Sequence, residues 1–315
     1  MSNPQFFNLL NYSQSSLARF LSELDESPER AKTLVQYIHQ KRILDFDRMD
    51  SLNNRLRSKL KARAILQIPE LINQQQSQDG SYKWLLRLHD GNAIETVYIP
   101  EQARGTLCIS SQVGCGLNCR FCATAQAGFN RNLTTAEIIG QLWWAWSRVP
   151  KISNVVMMGM GEPLLNYEAV IEALNLMMDH CAYGLSKYRV TVSTAGLAPA
   201  MKKLRQDSPV SLAVSLHAPN NALRSQLVPL NKKYPLEELL PICRDYFPST
   251  SKQVVLFEYV LLSGVNDNLS HAKELAELLE GIRCKVNLIP FNSFPGAGYT
   301  CPSDQQVTEF QEFLI

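Results

Sequence analysis

Four cysteines fall within fifteen residues of this 315-residue chain: Cys108, Cys115, Cys119 and Cys122. The last three have the spacing C-x3-C-x2-C. Three thiolates suffice to hold three irons of a 4Fe–4S cube, leaving the fourth iron open. A ligand carrying an amine and a carboxylate can chelate that open corner. This is the arrangement needed to reduce the sulfonium of S-adenosylmethionine and release a 5′-deoxyadenosyl radical. Phe121, beside the last ligand, can shield the cluster from water. Two alternatives weigh less. Zinc wants a closed tetrahedron, and no second Cys or His pair at the usual spacing follows. A thioredoxin-like pair, Cys119 and Cys122, would leave Cys115 without a use.

The other four cysteines, Cys181, Cys243, Cys284 and Cys301, are scattered singly. The N-terminus, MSNPQFFNLLNYSQSS, lacks a basic n-region and a cleavage site, so it does not read as a signal peptide. No apolar run approaches the ~18–20 residues of a membrane span. A cytoplasmic protein is expected, in which eight cysteines argue for metal or redox chemistry over a disulfide framework. An apolar fraction of 45% and a charged fraction of 19% describe an ordinary globular chain. A net charge of 31 − 29 = +2 says little about nucleic acid. The local run Arg55, Arg57, Lys59, Lys61, Arg63 reads equally as a solvated helix face or an RNA-facing patch.

These residues need elements to position them. Residues 1–80 carry helical periodicity in SSLARFLSEL, PERAKTLVQYIHQKR and SLNNRLRSKLKARAI, a small helical accessory domain. Pro28 stands where a first-turn proline is tolerated, after Ser27 as cap. The polar stretch NQQQSQDGS marks a boundary. Residues 81–103 read as a hairpin, YKWLLRL and AIETVYI about the turn HDGN. From residue 104 to 315, strands alternate with helices: TLCIS, NVVMMG, YRVTVST, VSLAVSL, QVVLFEYVLL and CKVNLIP, with helices near 134–147, 167–180, 197–206, 236–247 and 269–280. Thr134 and Glu137 have the spacing of a capping box. Near-continuous apolar strands with helices between them predict an α/β fold with a parallel sheet, curved into a partial (β/α)6 TIM-like barrel. A flat doubly wound sheet is the second choice.

In parallel α/β folds ligands sit at the carboxyl ends of strands. The cysteine loop follows the first strand. GMGEPLLN follows the second, with Gly159 and Gly161 letting backbone approach a ligand and Glu162 offering a carboxylate for an amine. Ser193 and Thr194 end the third strand, Ser215 and Leu216 the fourth with His217 next, and Phe291-Asn292 follows the last. Each alone is weak, since a serine at a strand end is usually a cap. Together they describe one polar mouth. On AIETVYI, Glu95 shares a face with Ala93, Val97 and Ile99, where a carboxylate must be paired or functional. A cross-strand pair with Lys83 or Arg87 is the alternative. Cys108 on residues alone reads as a small core side chain.

The segments CISSQVGC, FCATAQAGFNRNLT, NVVMMGMGEPLLN, SLHAPN, VPLNKKY and NLIPFNSFPG resemble the RlmN/Cfr group of radical S-adenosylmethionine RNA methyltransferases, from about Ser16 to the end of the chain. The resemblance implies a cluster on Cys115, Cys119 and Cys122. It implies S-adenosylmethionine bound by Gly161, Glu162, Ser193, Ser215, Leu216, His217 and Asn292. It makes Cys108 a resolving cysteine and Glu95 a proton acceptor, and it implies an RNA-binding role for the accessory domain of residues 1–80. The implied reaction is methylation of adenosine C2 in 23S rRNA and in tRNA, 3′ of the anticodon, by a ping-pong route through a methylated protein cysteine. FNRNLT favours C2 over the C8 chemistry of the same group. An iron–sulfur RNA-binding protein without turnover is the other class of reading. Implied partners are the two RNAs and a reductant protein such as flavodoxin, with a monomer acting away from membranes.

The family's methyl-carrying cysteine lies in a C-terminal segment like RGDDIxAACGQL. The sequence given has none, and Cys301 follows FPGAGYT, a different context. The expectation is therefore a chain that ends short of that segment, binding cluster and cofactor without turning over RNA.

Overall fold

A computed structural model describes residues 6–315; the reading of the extreme N-terminus falls partly on residues 1–5, outside the described residues. The chain divides into two compact units, one of residues 1–113, 132–159 and 166–190, the other of residues 114–131, 160–165 and 191–315.

The first unit opens with α1 (Gln14–Glu23), α2 (Arg30–Val35) and α3 (Asn54–Arg63). Leu17, Leu21, Leu34, Ile38, Leu56 and Leu60 are fully buried and form the apolar faces that hold these short helices, which would be marginal alone. The helix expected to begin at Pro28 starts at Arg30, after a turn in which Ala31 N–H donates to Pro28 O, and it runs into a π turn over Gln36–Gln40. The basic run on α3 is largely answered from within: Arg55 and Lys59 pair with Glu26, and Lys61 with Asp47.

Five strands follow in this unit: β1 (Glu70–Gln76), β2 (Tyr82–Arg87), β3 (Ala93–Pro100), β4 (Gly105–Cys108) and β5 (Asn154–Met157). The first four pair antiparallel in sequence order, and β4 pairs parallel to β5. The stretch NQQQSQDGS was expected to separate elements, yet its first four residues belong to β1, opposite β2. The expected hairpin is thus part of a meander. Two helices complete the unit, α4 (Thr135–Trp146) and α5 (Tyr167–Met178). The capping box forms as expected, with Thr134 Oγ1 accepting from Glu137 N–H and Glu137 Oε2 accepting from Thr134 N–H at 2.9 Å. Buried Gln141 on α4 accepts from Thr96 Oγ1 and Ser110 N–H and donates to Ser110 O.

In the second unit β6 (Val190–Thr194), β7 (Ser211–Ser215), β8 (Val255–Leu261) and β9 (Cys284–Pro290) pair parallel in that order. Between and after them come α6 (Ala198–Asp207), α7 (Asn221–Leu227), α8 (Leu236–Arg244), α9 (Leu269–Leu278) and α10 (Asp304–Leu314). Register divides the sheet into two faces. Val192, Leu212, Val214, Phe257 and Tyr259 lie on one and are fully buried, with Tyr259 against Phe310 of α10. Ser193, Ala213, Ser215, Glu258 and Asn287 lie on the other. One face is core and the other is polar. Among the described residues no helix is long and apolar enough to cross a membrane.

Candidate active site

The cysteine loop belongs to the second unit and is shaped by local bonds. Cys115 N–H donates to Gly128 O at 3.0 Å and Arg120 N–H to Leu227 O at 3.0 Å. Asn118, between the first two ligands, takes φ +55°, the left-handed conformation that asparagine tolerates. Leu117, Cys119 and Phe121 pack on an apolar cluster that includes Ala218, Leu227, Val260 and Phe291, so the loop is anchored by burial.

The three thiols suit iron. Burial pushes Cys119 up to about 12, and Cys122, Cys115 and Glu162 nearby add to the shift. Burial also raises Cys115, reinforced by Glu162 and Cys122. Thiols that oppose one another's ionisation in a buried place keep their protons unless a cation replaces them, which is the condition of metal ligands. One zinc with bonds of ~2.3 Å would draw its sulfurs within ~4 Å of one another. Among the described residues the ligand atoms found within 4.8 Å of one another do not include these three sulfurs. Asp179, His180 and Cys181 are so gathered, but they are consecutive on a turn where Asp179 Oδ1 accepts from Cys181 N–H at 2.7 Å.

Glu162 lies in the same unit, 3% exposed, after Gly161 at φ +98°. Its Oε1 accepts from Leu164 N–H at 3.1 Å and its Oε2 from Ala195 N–H at 2.8 Å. Burial lifts the carboxyl to about 7, while these bonds and the Thr194 hydroxyl pull it back. Backbone donors thus fix the orientation of a buried carboxyl group. The role expected of Gly159 needs correction: a Cβ there would meet Ile109 carbonyl atoms at 2.8 Å, so this glycine admits the chain's own backbone rather than a ligand.

Ser193 and Ser215 fall on the polar face at the ends of β6 and β7. Leu216 presents backbone alone, its side chain being fully buried; its N–H donates to Glu258 O and its carbonyl accepts from Arg224 Nε. His217 takes φ +60° and its Nδ1 accepts from Val260 N–H at 3.0 Å. Burial, with Arg224 nearby, pulls the imidazole down to about 3, so it is neutral, and its ring stands edge-on to Phe121 at 4.6 Å between centroids. Asn292 is exposed just beyond β9.

Glu95 and Cys108 belong to the first unit. Glu95 Oε1 lies 3.1 Å from Lys83 Nζ, so the cross-strand pair weighed against a functional role does form, with both side chains 47% exposed. Half-buried Cys108 stands opposite Val97 and Val156, and burial pushes its thiol up to about 12 despite a hydrogen bond from Met158 backbone.

Two residues escaped the sequence reading. Arg224 is fully buried in α7, where ALRSQL reads as an ordinary surface helix. Glu258, 5% exposed on the polar face, accepts from Asn287 Nδ2 at 2.8 Å, and burial raises its carboxyl. Its signal was available: a carboxylate inside the apolar run VVLFEYVLL.

Comparison with known proteins bears on this geometry directly. Residues 109–279 match the radical SAM superfamily model, and residues 7–66 match the ribosomal RNA large subunit methyltransferase N-terminal domain. A solved radical SAM methyltransferase from Sphaerobacter thermophilus is 40% identical, with 98% of this chain and 92% of that chain covered at a TM-score of 0.90. A domain of pyruvate-formate lyase-activating enzyme from Bacteroides vulgatus (21% identity, 51% of this chain and 92% of that one, TM-score 0.40) and SuiB from Streptococcus suis (13%, 66% and 45%, 0.49) are looser likenesses that bear on nothing further. The fold is the expected α/β partial barrel, and the family brings a 4Fe–4S cluster and S-adenosylmethionine. The chain belongs to the radical SAM superfamily and is a radical SAM methyltransferase of the RlmN type.

Proposed function

We propose that this enzyme methylates C2 of adenosine in 23S rRNA and in tRNA, 3′ of the anticodon. The observation that carries the reading is the placement of Glu95 and Cys108 on one face of adjacent strands, joined to an N-terminal segment of the rRNA methyltransferase type. Adenine C2 is electron-poor and bears no acidic proton, so polar methyl transfer fails there and a radical route is required. Cys115, Cys119 and Cys122 would hold the cluster, which would supply the electron for reductive cleavage of S-adenosylmethionine.

The chain's own residues do the rest. Glu162 receives the cofactor's amine and Phe121 and His217 close the apolar side of the site. Ser193, Ser215, the backbone about Leu216 and His217, and Asn292 complete the cofactor's contacts. Glu95 takes up the proton lost from the base carbon. Cys108 resolves the protein–RNA crosslink by attacking the methyl-carrying sulfur of the ping-pong route, forming a disulfide as the methylated base departs. Burial keeps the Cys108 thiol protonated at neutral pH, so its attack releases a proton, and the carbon leaving the sulfur takes up one proton to become the methyl group.

Mass spectrometry of 23S rRNA and tRNA from cells carrying the gene, against cells lacking it, tests the reading. Gene-dependent 2-methyladenosine in both RNAs is expected. 8-methyladenosine in its place, or no methylation, overturns it.

A further inference from the structure

A buried cation, Arg224, marks the second unit; among the described residues its hydrogen bonds go to carbonyl and amide oxygens rather than to a carboxylate. Arg224 Nη2 donates to Ala195 O at 2.7 Å and Ser215 O at 3.1 Å, Nε to Leu216 O at 3.1 Å, and Nη1 to Asn231 Oδ1 at 2.8 Å. Asn231 is itself fixed, its Nδ2 donating to Ser225 Oγ at 2.9 Å and Asn221 Oδ1 at 3.0 Å. One planar fork thus gathers carbonyls from the ends of β6 and β7, the geometry that suits arginine over lysine. The two peptide groups flanking the Ala195 Cα are both held, the N–H donating to Glu162 Oε2 and the carbonyl accepting from Arg224 Nη2.

We propose that Arg224 is a positioning residue for cofactor and cluster: it braces the ends of β6 and β7, which hold Glu162 through the Ala195 N–H and present Ser215 and His217, and it holds a positive charge on α7, the helix whose Leu227 carbonyl binds the cysteine loop at Arg120 N–H. Burying a guanidinium among neutral acceptors is costly, and neutral donors would tie carbonyls without that cost. The charge has a use where anionic thiolates gather. Burial lowers the guanidinium to about 10, still charged at neutral pH, and the groups that oppose this lowering are the thiols Cys119 and Cys243. A fixed positive charge near a cluster favours its reduced, more negative form, one of the ways in which surroundings set a potential.

The inference rests on the cluster and the cofactor, not on the RNA base or its methylated carbon, and both readouts are taken without RNA. The test uses anaerobically reconstituted protein with S-adenosylmethionine, measuring cluster midpoint potential by spectroelectrochemistry and cofactor affinity by calorimetry. Arg224→Gln is expected to lower the midpoint potential and weaken cofactor binding by about tenfold or more. Arg224→Lys is expected to keep the potential and still weaken binding, since an ammonium cannot span the three carbonyls. A brace with no electrostatic role would leave the potential of the iron-replete Gln variant unchanged, and that result overturns the charge assignment. Wild-type affinity in the Lys variant overturns the bracing. Should the Arg224 variants fail to load iron, Asn231→Ala removes one of the four bonds and leaves the charge: weaker cofactor binding at an unaltered potential is expected, and unaltered binding overturns the proposal.

Discussion

Cys108 pairs with Val97 across two antiparallel strands, so Glu95, two residues before Val97, projects from the same face of the sheet as the Cys108 thiol. Ser110 Oγ donates to Glu95 O, fastening the two strands where the proposed acceptor and the proposed resolving thiol lie.

The thiol's chemistry follows from burial. With Cys108 pushed up to about 12, its thiolate is scarce at pH 7. Since the thiolate is the nucleophile, alkylation of Cys108 by iodoacetamide is expected to rise about tenfold per pH unit between pH 7 and 9. Peptide mapping of timed samples reads this rate site by site. A plateau below pH 9 contradicts the raised value.

Lys83 and Glu95 form an exposed pair, and such pairs contribute little. Lys83→Ala is expected to change stability by no more than ~1 kcal/mol. Glu95→Gln is expected to spare stability and 5′-deoxyadenosine release while slowing methylation about 10²–10⁴-fold, the worth of a positioned base. Urea melts and single-turnover assays of the protein separate the two. Methylation at the wild-type rate in the Gln variant removes Glu95 from the mechanism.

The cluster loop depends on one close approach. A Cβ at Gly114 would lie 1.8 Å from Gly128 O, and Gly114 has φ +75°. Gly114→Ala is expected to open this contact beside Cys115 and lower the iron bound per chain. Gly128→Ala shares a φ of +75° but meets open space, so it carries only the backbone strain of about 1 kcal/mol. Iron and sulfide analysis of both variants makes the comparison. Equal iron content would show that the approach does not shape the loop.

Why some of this was legible and some was not is a matter of local against tertiary signals. β4 to β9 could be read because apolar, β-branched runs such as VVLFEYVLL carry their own burial. The cysteine loop was legible from spacing alone. β1 was not, because ELINQQQ has no alternation and all seven of its residues are exposed; its hydrogen-bond partner, β2, makes it a strand. Arg224 was hidden because nothing in ALRSQL distinguishes a buried arginine from an exposed one. Three carbonyls distant in sequence decide it.

Glu258 tests how the polar face bears its charge. Burial raises this carboxyl, and the hydrogen bond from Asn287 offsets that in part. A carboxyl with a folded pKa above its unfolded one holds its proton more tightly when folded. Its contribution to stability is therefore fully present below the unfolded pKa and is lost as pH rises through the folded one. Glu258→Gln keeps the shape and stays neutral, and the Asn287 amide can turn to suit it. The variant is expected to melt higher than wild type at pH 8 and to lose that advantage near pH 4, with the gap growing through the acidic range. Calorimetric melts of the two proteins across this range supply the comparison. A gap that is constant with pH, or reversed in sign, would mean that Glu258 is solvated as well in the fold as outside it.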